Sequence, residues 1–317
     1  MVSGPLIIDP AKENPIEYAT LSLPAHICGS HARALEQFQA MQFSFFGAAS
    51  RTLTHFHAML ELNQLTGPRN PIREQFGITR YFITYAKRQR TEKIIAGSAY
   101  LAIPWAEGAM ICIPFTFVDP DERESGIGEQ FRTVRSFQAN AFLKEFGLTP
   151  SSGQPQLTSW CEFENSLLLT LDDHRTTIEQ AKIAPLRRER HWYKVGYRSF
   201  DFDHMELASI DGGVPCPHYS LNILSGSPEP LIPSEQIARL VTVNAGICRL
   251  HGNDPNDDPM HREEIEQIMS QPTHRPRDRR AELAELEPRL TALLAKPNDP
   301  ATAHLTVRQL LKLEGAV

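Results

Sequence analysis

Apolar positions recur with two different periods along the chain, and the changes of period divide it into regions. Between residues 31 and 46, Ala34, Leu35, Phe38, Met41 and Phe45 follow helical spacing. A second helix is predicted over 50–65, with Ser50 as N-cap and Leu53, Phe56 and Leu60 on one face. Gly67-Pro68 and Asn70-Pro71 end it. From Arg80 the period falls to two. Residues 80–87 and 92–103 are rich in aromatic and β-branched types and predict two strands. Residues 109–118 are apolar almost throughout, which predicts a strand buried on both faces, with layers on either side of its sheet. Pro114 inside it has no N–H to give to a ladder, so a bulge or local splay is expected there.

The pattern returns to helix over 129–146, where Phe131, Val134, Phe137, Phe142 and Phe146 are among the apolar positions and Gly147 is a natural C-cap. Strand material is expected within 157–171, centred on 166–171. Residues 174–193 read as a helix in two pieces around Pro185. Strands are expected again over 198–207 and 218–224. After Pro228 four helices follow, over 234–250, 260–269, 279–294 and 306–313. The expected class is therefore α+β. A Pro-rich arm occupies 1–30, a mixed domain 31–229 and a helical extension 230–317. The apolar faces of the extension have to be covered, either by the mixed domain or by a second copy of the chain, which makes a homodimer one expectation.

Composition narrows the classes. The chain has 317 residues, 41% hydrophobic and 22% charged, with a formal net charge of −6. A mildly acidic protein has no electrostatic reason to take nucleic acid as its main partner, and anionic lipid repels it. The apolar run 109–118 contains Pro114 and falls far short of the roughly 20 residues of a membrane span. The five cysteines are scattered and form no C-x-x-C, so neither a zinc knuckle nor a redox pair is indicated. The N-terminal residues show no signal-peptide pattern. A soluble, cytoplasmic protein without a metal is expected. His55 and His57 are two apart on a helix and face different directions, and residues 254–265 lack the glycine and the final acid of a calcium loop.

The stretch that carries chemistry runs from Phe115 to Gly147. A buried strand ends in a loop with Arg123, Gly126 and Gly128, and a long helix follows. Glycines there let the backbone approach an anion closely, and the first turn of the helix offers unpaired N–H groups backed by the helix dipole. Together they suit a pyrophosphate. The dinucleotide-binding G-x-G-x-x-G lacks its third glycine here, and the P-loop sequence is absent.

Val118-Asp119-Pro120, Arg123, Gly126, Ile127 and Gly128, then a helix and Phe146-Gly147-Leu148, resemble the acyl-CoA-binding segment of the GNAT superfamily of N-acetyltransferases. His191-Trp192-Tyr193-Lys194-Val195-Gly196-Tyr197 resembles a second segment of that family, and the likeness spans about residues 30–225. The resemblance implies a mixed sheet splayed between its fourth and fifth strands, entered by a pantetheine arm that pairs with the backbone of residues 115–118, Phe117 and Val118 included. It implies a pyrophosphate on the amides of Arg123, Glu124, Ser125, Gly126, Ile127, Gly128 and Glu129. The implied reaction is direct attack of a small-molecule amine on an acetyl-CoA (or other acyl-CoA) thioester, with Tyr193 as general acid. Where relatives often carry Asn and Ala before the tyrosine, this chain has Leu186 and Glu189. No carboxylate lies in 109–118, so the base is sought in Asp173, beside Asp172 and His174 at the expected strand end, or in Glu162 and Glu164. Two other readings stand beside this one: a donor that is a carrier-protein or longer-chain thioester, and a non-catalytic scaffold that uses its helices for assembly.

Overall fold

The computed structural model describes residues 6–8, 15–23, 26, 28–46, 52–64, 77–105, 108–148, 156–202, 204–206, 216–224, 231–248, 255–297 and 299–313. The chain is α+β and divides into two compact units, Met1–Ser159 and Trp160–Val317.

In the first unit, β1 (Leu6–Ile8), β2 (Ile16–Leu21), β3 (Arg80–Arg88), β4 (Ile94–Trp105) and β5 (Gly108–Val118) pair antiparallel in that order. Helices α1 (Ser30–Phe46) and α2 (Leu53–Leu62) separate β2 from β3, and α3 (Ile127–Glu145) follows β5. The cap of α2 is Thr52, whose side chain accepts the His55 N–H; the predicted cap, Ser50, lies outside the described residues. Register explains why α1 and α3 take opposite faces. The row Ala19, Tyr85, Gly97, Phe117 points one way, and there Phe38 of α1 lies over Gly97 and against Phe117. The next rows point the other way. Ile127, Phe131 and Val134 of α3 cover Tyr18, Ala86 and Ala96. Arg135 of the same helix is buried over the hydroxyl row Thr20, Thr84, Ser98, Thr116 and donates to Ser98 at 3.1 Å. Both faces of β4 are thus buried, and β5, whose apolar run predicts the same, is buried from Gly108 to Ile113 and half-buried at Pro114, Thr116 and Val118.

In β5, Phe115 faces Ala99 but Cys112 faces Leu101, so Ile113 and Pro114 together oppose Tyr100. This is the bulge expected from a proline that cannot donate.

The second unit begins within β6 (Gln156–Glu164); β6, β9 (Cys216–Leu224) and β7 (Arg198–Ser199) are neighbours in that order, and β8 (His204–Glu206) also pairs with β9. Helices α4 (Leu171–Ala181) and α5 (Pro185–Lys194) lie between β6 and β7 in the chain. The strand expected over 166–171 is not there. It lies earlier, at 156–164, and Thr170 opens α4 with a capping box closed by Asp173. In place of one strand over 198–207 there are two short ones, β7 and β8, and Phe200 and Phe202 between them stack on each other.

Helices α6 (Ser234–Cys248), α7 (Pro259–Met269), α8 (Arg280–Leu294) and α9 (Val307–Leu313) belong to this second unit. Leu283, Leu286, Leu290 and Leu293 form the buried stripe of α8. Two backbone bridges stitch the extension to earlier segments, Ser199 with Arg277 and Thr170 with Thr306. A short antiparallel pair of β10 (Ile232–Pro233) and β11 (Thr273–His274) ties the two ends of its first half together. No described helix is long and apolar enough to cross a membrane.

Candidate functional site

The bend after β5 is built by a few local bonds. Asp119 donates its N–H to the Ile95 carbonyl at 2.8 Å and so stays on the sheet, while its carboxylate caps a short 3₁₀ turn, Pro120–Glu122, by accepting the Asp121 N–H. Gly126 then takes φ +82°, a left-handed conformation that glycine adopts without a Cβ penalty, and it enters α3 with no side-chain cap. Gln130 makes the first intrahelical bond of α3, to the Gly126 carbonyl at 3.1 Å. The N–H groups of Ile127, Gly128 and Glu129 precede it and have no carbonyl in the helix to receive them. A Cβ built on Gly128 meets no atom within 4 Å, so that glycine borders open space.

Five carboxylates lie in or beside this bend, a poor setting for an anion unless they are neutralised. Three are. Lys93 pairs with Asp119 at 2.8 Å, Arg88 grips Glu122 with two bonds of 3.1 and 2.6 Å, and Arg132 pairs with Glu129. Burial pushes the Asp119 carboxyl up, but the Lys93 ammonium and the Asp121 amide together hold it below the usual carboxylate range. The Arg123 guanidinium lies over the ring of Phe45, 5.7 Å from its centre, and Phe45 stacks in turn on Phe117. The braces come from the ends of β3 and β4, so the β3–β4 hairpin holds the bend in shape.

Tyr193 sits near the end of α5 in the second unit and is fully buried, its ring edge-on to Phe163 of β6. Its hydroxyl meets Ser199 Oγ in a short hydrogen bond and Glu189 Oε1 at 3.3 Å. Glu189, also with no exposed surface, accepts from the Ser166 N–H at 2.9 Å and the Ser166 hydroxyl at 2.6 Å. Burial drives the Glu189 carboxyl upward, opposed by Arg279 and Ser166. Burial first, and the Glu189 charge second, hold the Tyr193 phenol well above its ordinary value.

The sequence-predicted residues therefore fall into two groups. Phe117, Val118, Arg123, Glu124, Ser125, Gly126, Ile127, Gly128 and Glu129 are brought together at the strand end, bend and helix start of the first unit. The helix begins at Ile127, two residues before its expected start, so Gly128 lies inside the first turn; of the two glycines only Gly126 takes positive φ, and Glu124 in the same bend is also left-handed, at φ +69°. Tyr193 and Asp173 belong to the second unit, on different helices. Asp173 is not at a strand end. Its Oδ2 closes the α4 capping box, accepting from the Thr170 N–H at 2.9 Å and hydroxyl at 2.7 Å. Asp172 pairs with Arg175, Glu164 pairs with Arg188, and buried His174 contacts the Ser166 carbonyl at 2.8 Å.

Sequence reasoning missed a second buried cluster. His204 contacts Glu264 at 2.5 Å through Nδ1 and Glu162 through Nε2, and Asn244 also donates to Glu162. Burial lowers the affinity of His204 for a proton, but the two carboxylates outweigh it and hold its pKa well above the ordinary value. His204 and Glu264 are sixty positions apart, and no local pattern pairs them.

No family model matches the sequence, and no curated protein matches it. Solved structures do. A protein assigned to the GNAT family of acetyltransferases from Bacteroides thetaiotaomicron is 16% identical, with a TM-score of 0.35, over 66% of this chain and 87% of its own. The ribosomal-protein-S18-alanine N-acetyltransferase of Escherichia coli is 13% identical (TM-score 0.33, 66% of this chain, 94% of its own). An IAA acetyltransferase of Bacillus cereus is 11% identical (TM-score 0.33, 66% and 99%). At these scores and identities an activity has to be argued from this chain's own residues. All three of these proteins are named as acetyltransferases.

Proposed function

We propose that the protein is an acyl-CoA-dependent N-acyltransferase, with acetyl-CoA as donor and the amine of a small molecule as acceptor, acting in the cytoplasm. The observation that carries this reading is the α3 start: three backbone N–H groups ahead of the first helical bond, entered through a left-handed glycine, bordered by open space at Gly128 and braced by Arg88 and Lys93. Such a start suits a diphosphate. The bulge in β5 frees main-chain groups from the β4 ladder next to Phe115, and these suit pairing with a pantetheine amide.

In this reading the amine nitrogen attacks the thioester carbonyl carbon. The C–N bond forms, the C–S bond breaks, and the electron pair leaves on sulfur. Main-chain N–H groups polarise the carbonyl oxygen during the attack. Tyr193 gives the thiolate its proton and recovers one from solvent, to which the amine releases its own. To do so the hydroxyl must turn from Ser199.

The donor half is tested with Gly128→Glu. Its side chain enters open space, so the fold is expected to stand, while a carboxylate placed against the amides should abolish acetyl-CoA binding by calorimetry. A folded variant with unchanged affinity would remove the bend from the account. The acceptor half needs a panel of spermidine, kanamycin and trialanine, scored by thiol released from acetyl-CoA.

A further inference from the structure

The Glu189 carboxylate has no exposed surface, and its surroundings say what it answers to. Arg279, in the segment after the sheet ends, is 13% exposed at its side chain and donates from Nη1 to Glu189 Oε1 at 3.2 Å. The same guanidinium is fixed by two bonds to Glu282, of 2.8 and 2.9 Å, so it arrives already oriented. We propose that Arg279 is a positioning residue for Tyr193, acting through Glu189, so that the C-terminal segment completes the proton-donating side of the site. The inference rests on the acid role proposed above for Tyr193.

Asn222 Nδ2 points at two carbonyls, of Ser220 at 2.5 Å and Cys161 at 3.5 Å, and carbonyls only accept. Its Oδ1 is therefore the acceptor facing Ser199, and the Ser199 hydrogen goes there. The Ser199 oxygen is left to accept from Tyr193. The one phenolic hydrogen is thus shared between Ser199 and Glu189 Oε1.

Glu189 and Arg279 set how firmly that hydrogen is held. Oε2 is saturated by Ser166, and Oε1 divides its charge between Arg279 and Tyr193. The bond to Tyr193 is long, at 3.3 Å, beyond the usual range for O–H···O. Without Arg279, Glu189 is a buried carboxylate with no cation. It then either pulls the phenolic hydrogen into a short bond or takes a proton itself and becomes a donor toward the Tyr193 oxygen. Either change alters a hydroxyl that has to release its proton to sulfur.

The test uses the full chain labelled with [¹³Cζ]tyrosine, the Tyr193 resonance being assigned from Tyr193→Phe. Acetyl-CoA is the probe, with calorimetry for affinity and thiol release, to water or to an amine, for turnover. In Arg279→Met the Tyr193 resonance is expected to move and turnover at saturating acetyl-CoA to fall about tenfold or more, part of the roughly 10²–10⁴ that a positioned acid contributes. Acetyl-CoA affinity should stay at the wild-type value, and Arg279→Lys should recover part of the turnover. Wild-type turnover in Arg279→Met, or a loss of turnover with the Tyr193 resonance unmoved, overturns the proposal. If that variant does not fold, Glu189→Gln/Arg279→Met removes both charges and is read by the same two signals, with the same outcomes deciding. Wild-type turnover in Tyr193→Phe sinks the acid reading itself. A slow Tyr193→Phe beside a full-speed Arg279→Met sinks this inference alone.

Discussion

The two units hold their polar groups in opposite ways. In the first, the bend after β5 keeps its ion pairs at the surface, Lys93 with Asp119 and Arg88 with Glu122, and leaves the amides of Ile127, Gly128 and Glu129 unclaimed by the helix. In the second, Glu189, Arg279, Tyr193, Ser199 and Asn222 form one buried network, and His204 is closed between Glu162 and Glu264 in another. Amides left open next to open space are groups for a ligand. Side chains that satisfy one another in the interior fix geometry. The contrast separates amides open to a ligand from side chains that satisfy one another.

The contrast also predicts different responses to damage. The largest effect is expected at His204. Replacing it with Asn leaves Glu162 and Glu264 buried without their cation, at a cost of about 3–5 kcal/mol. The pH dependence has a definite sign. The folded-state pKa of His204 is raised, so its contribution is complete below the unfolded value near 6.5 and is lost as pH rises through the higher folded value. Urea melts of the wild type, followed by the fluorescence of Trp160 and Trp192 in this unit, should weaken toward alkaline pH. His204→Asn should lack that alkaline loss, and an unchanged pH profile would break the comparison at its strongest point.

A smaller and pH-independent effect is expected in the first unit. A Cβ on Gly97 would stand 2.4 Å from Phe38 and 2.5 Å from Phe117. Gly97→Ala should therefore cost about 1–3 kcal/mol through overpacking, equally at pH 6 and 9. A loss that grew with pH would mean that charge, not packing, governs this face as well.

Much of the fold was legible because its signals are local. The alternation over 80–87, the apolar run of β5, the proline that forces its bulge and the glycine that opens α3 each act within a few residues. The misplacement of β6 has a local cause too. Leu167, Leu168 and Leu169 imitate a strand by hydrophobicity, yet Thr170 and Asp173 carry the capping-box spacing that marks a helix start directly after them. What stayed hidden is long-range. Glu189 reads as an odd residue in a helix until Arg279, ninety positions later, is seen against it. Glu162, His204, Asn244 and Glu264 come from β6, β8, α6 and α7, and nothing within a short window of sequence links a carboxylate on one strand to an imidazole on another.

The central claim is that the α3 start takes the diphosphate of the acyl donor. Its most direct measurement is an amide NMR titration of the ¹⁵N-labelled chain with coenzyme A. The resonances of Ile127, Gly128 and Glu129 are expected to move together and saturate with the ligand. Saturable binding that leaves those three amides unmoved, or no binding at all, would contradict it.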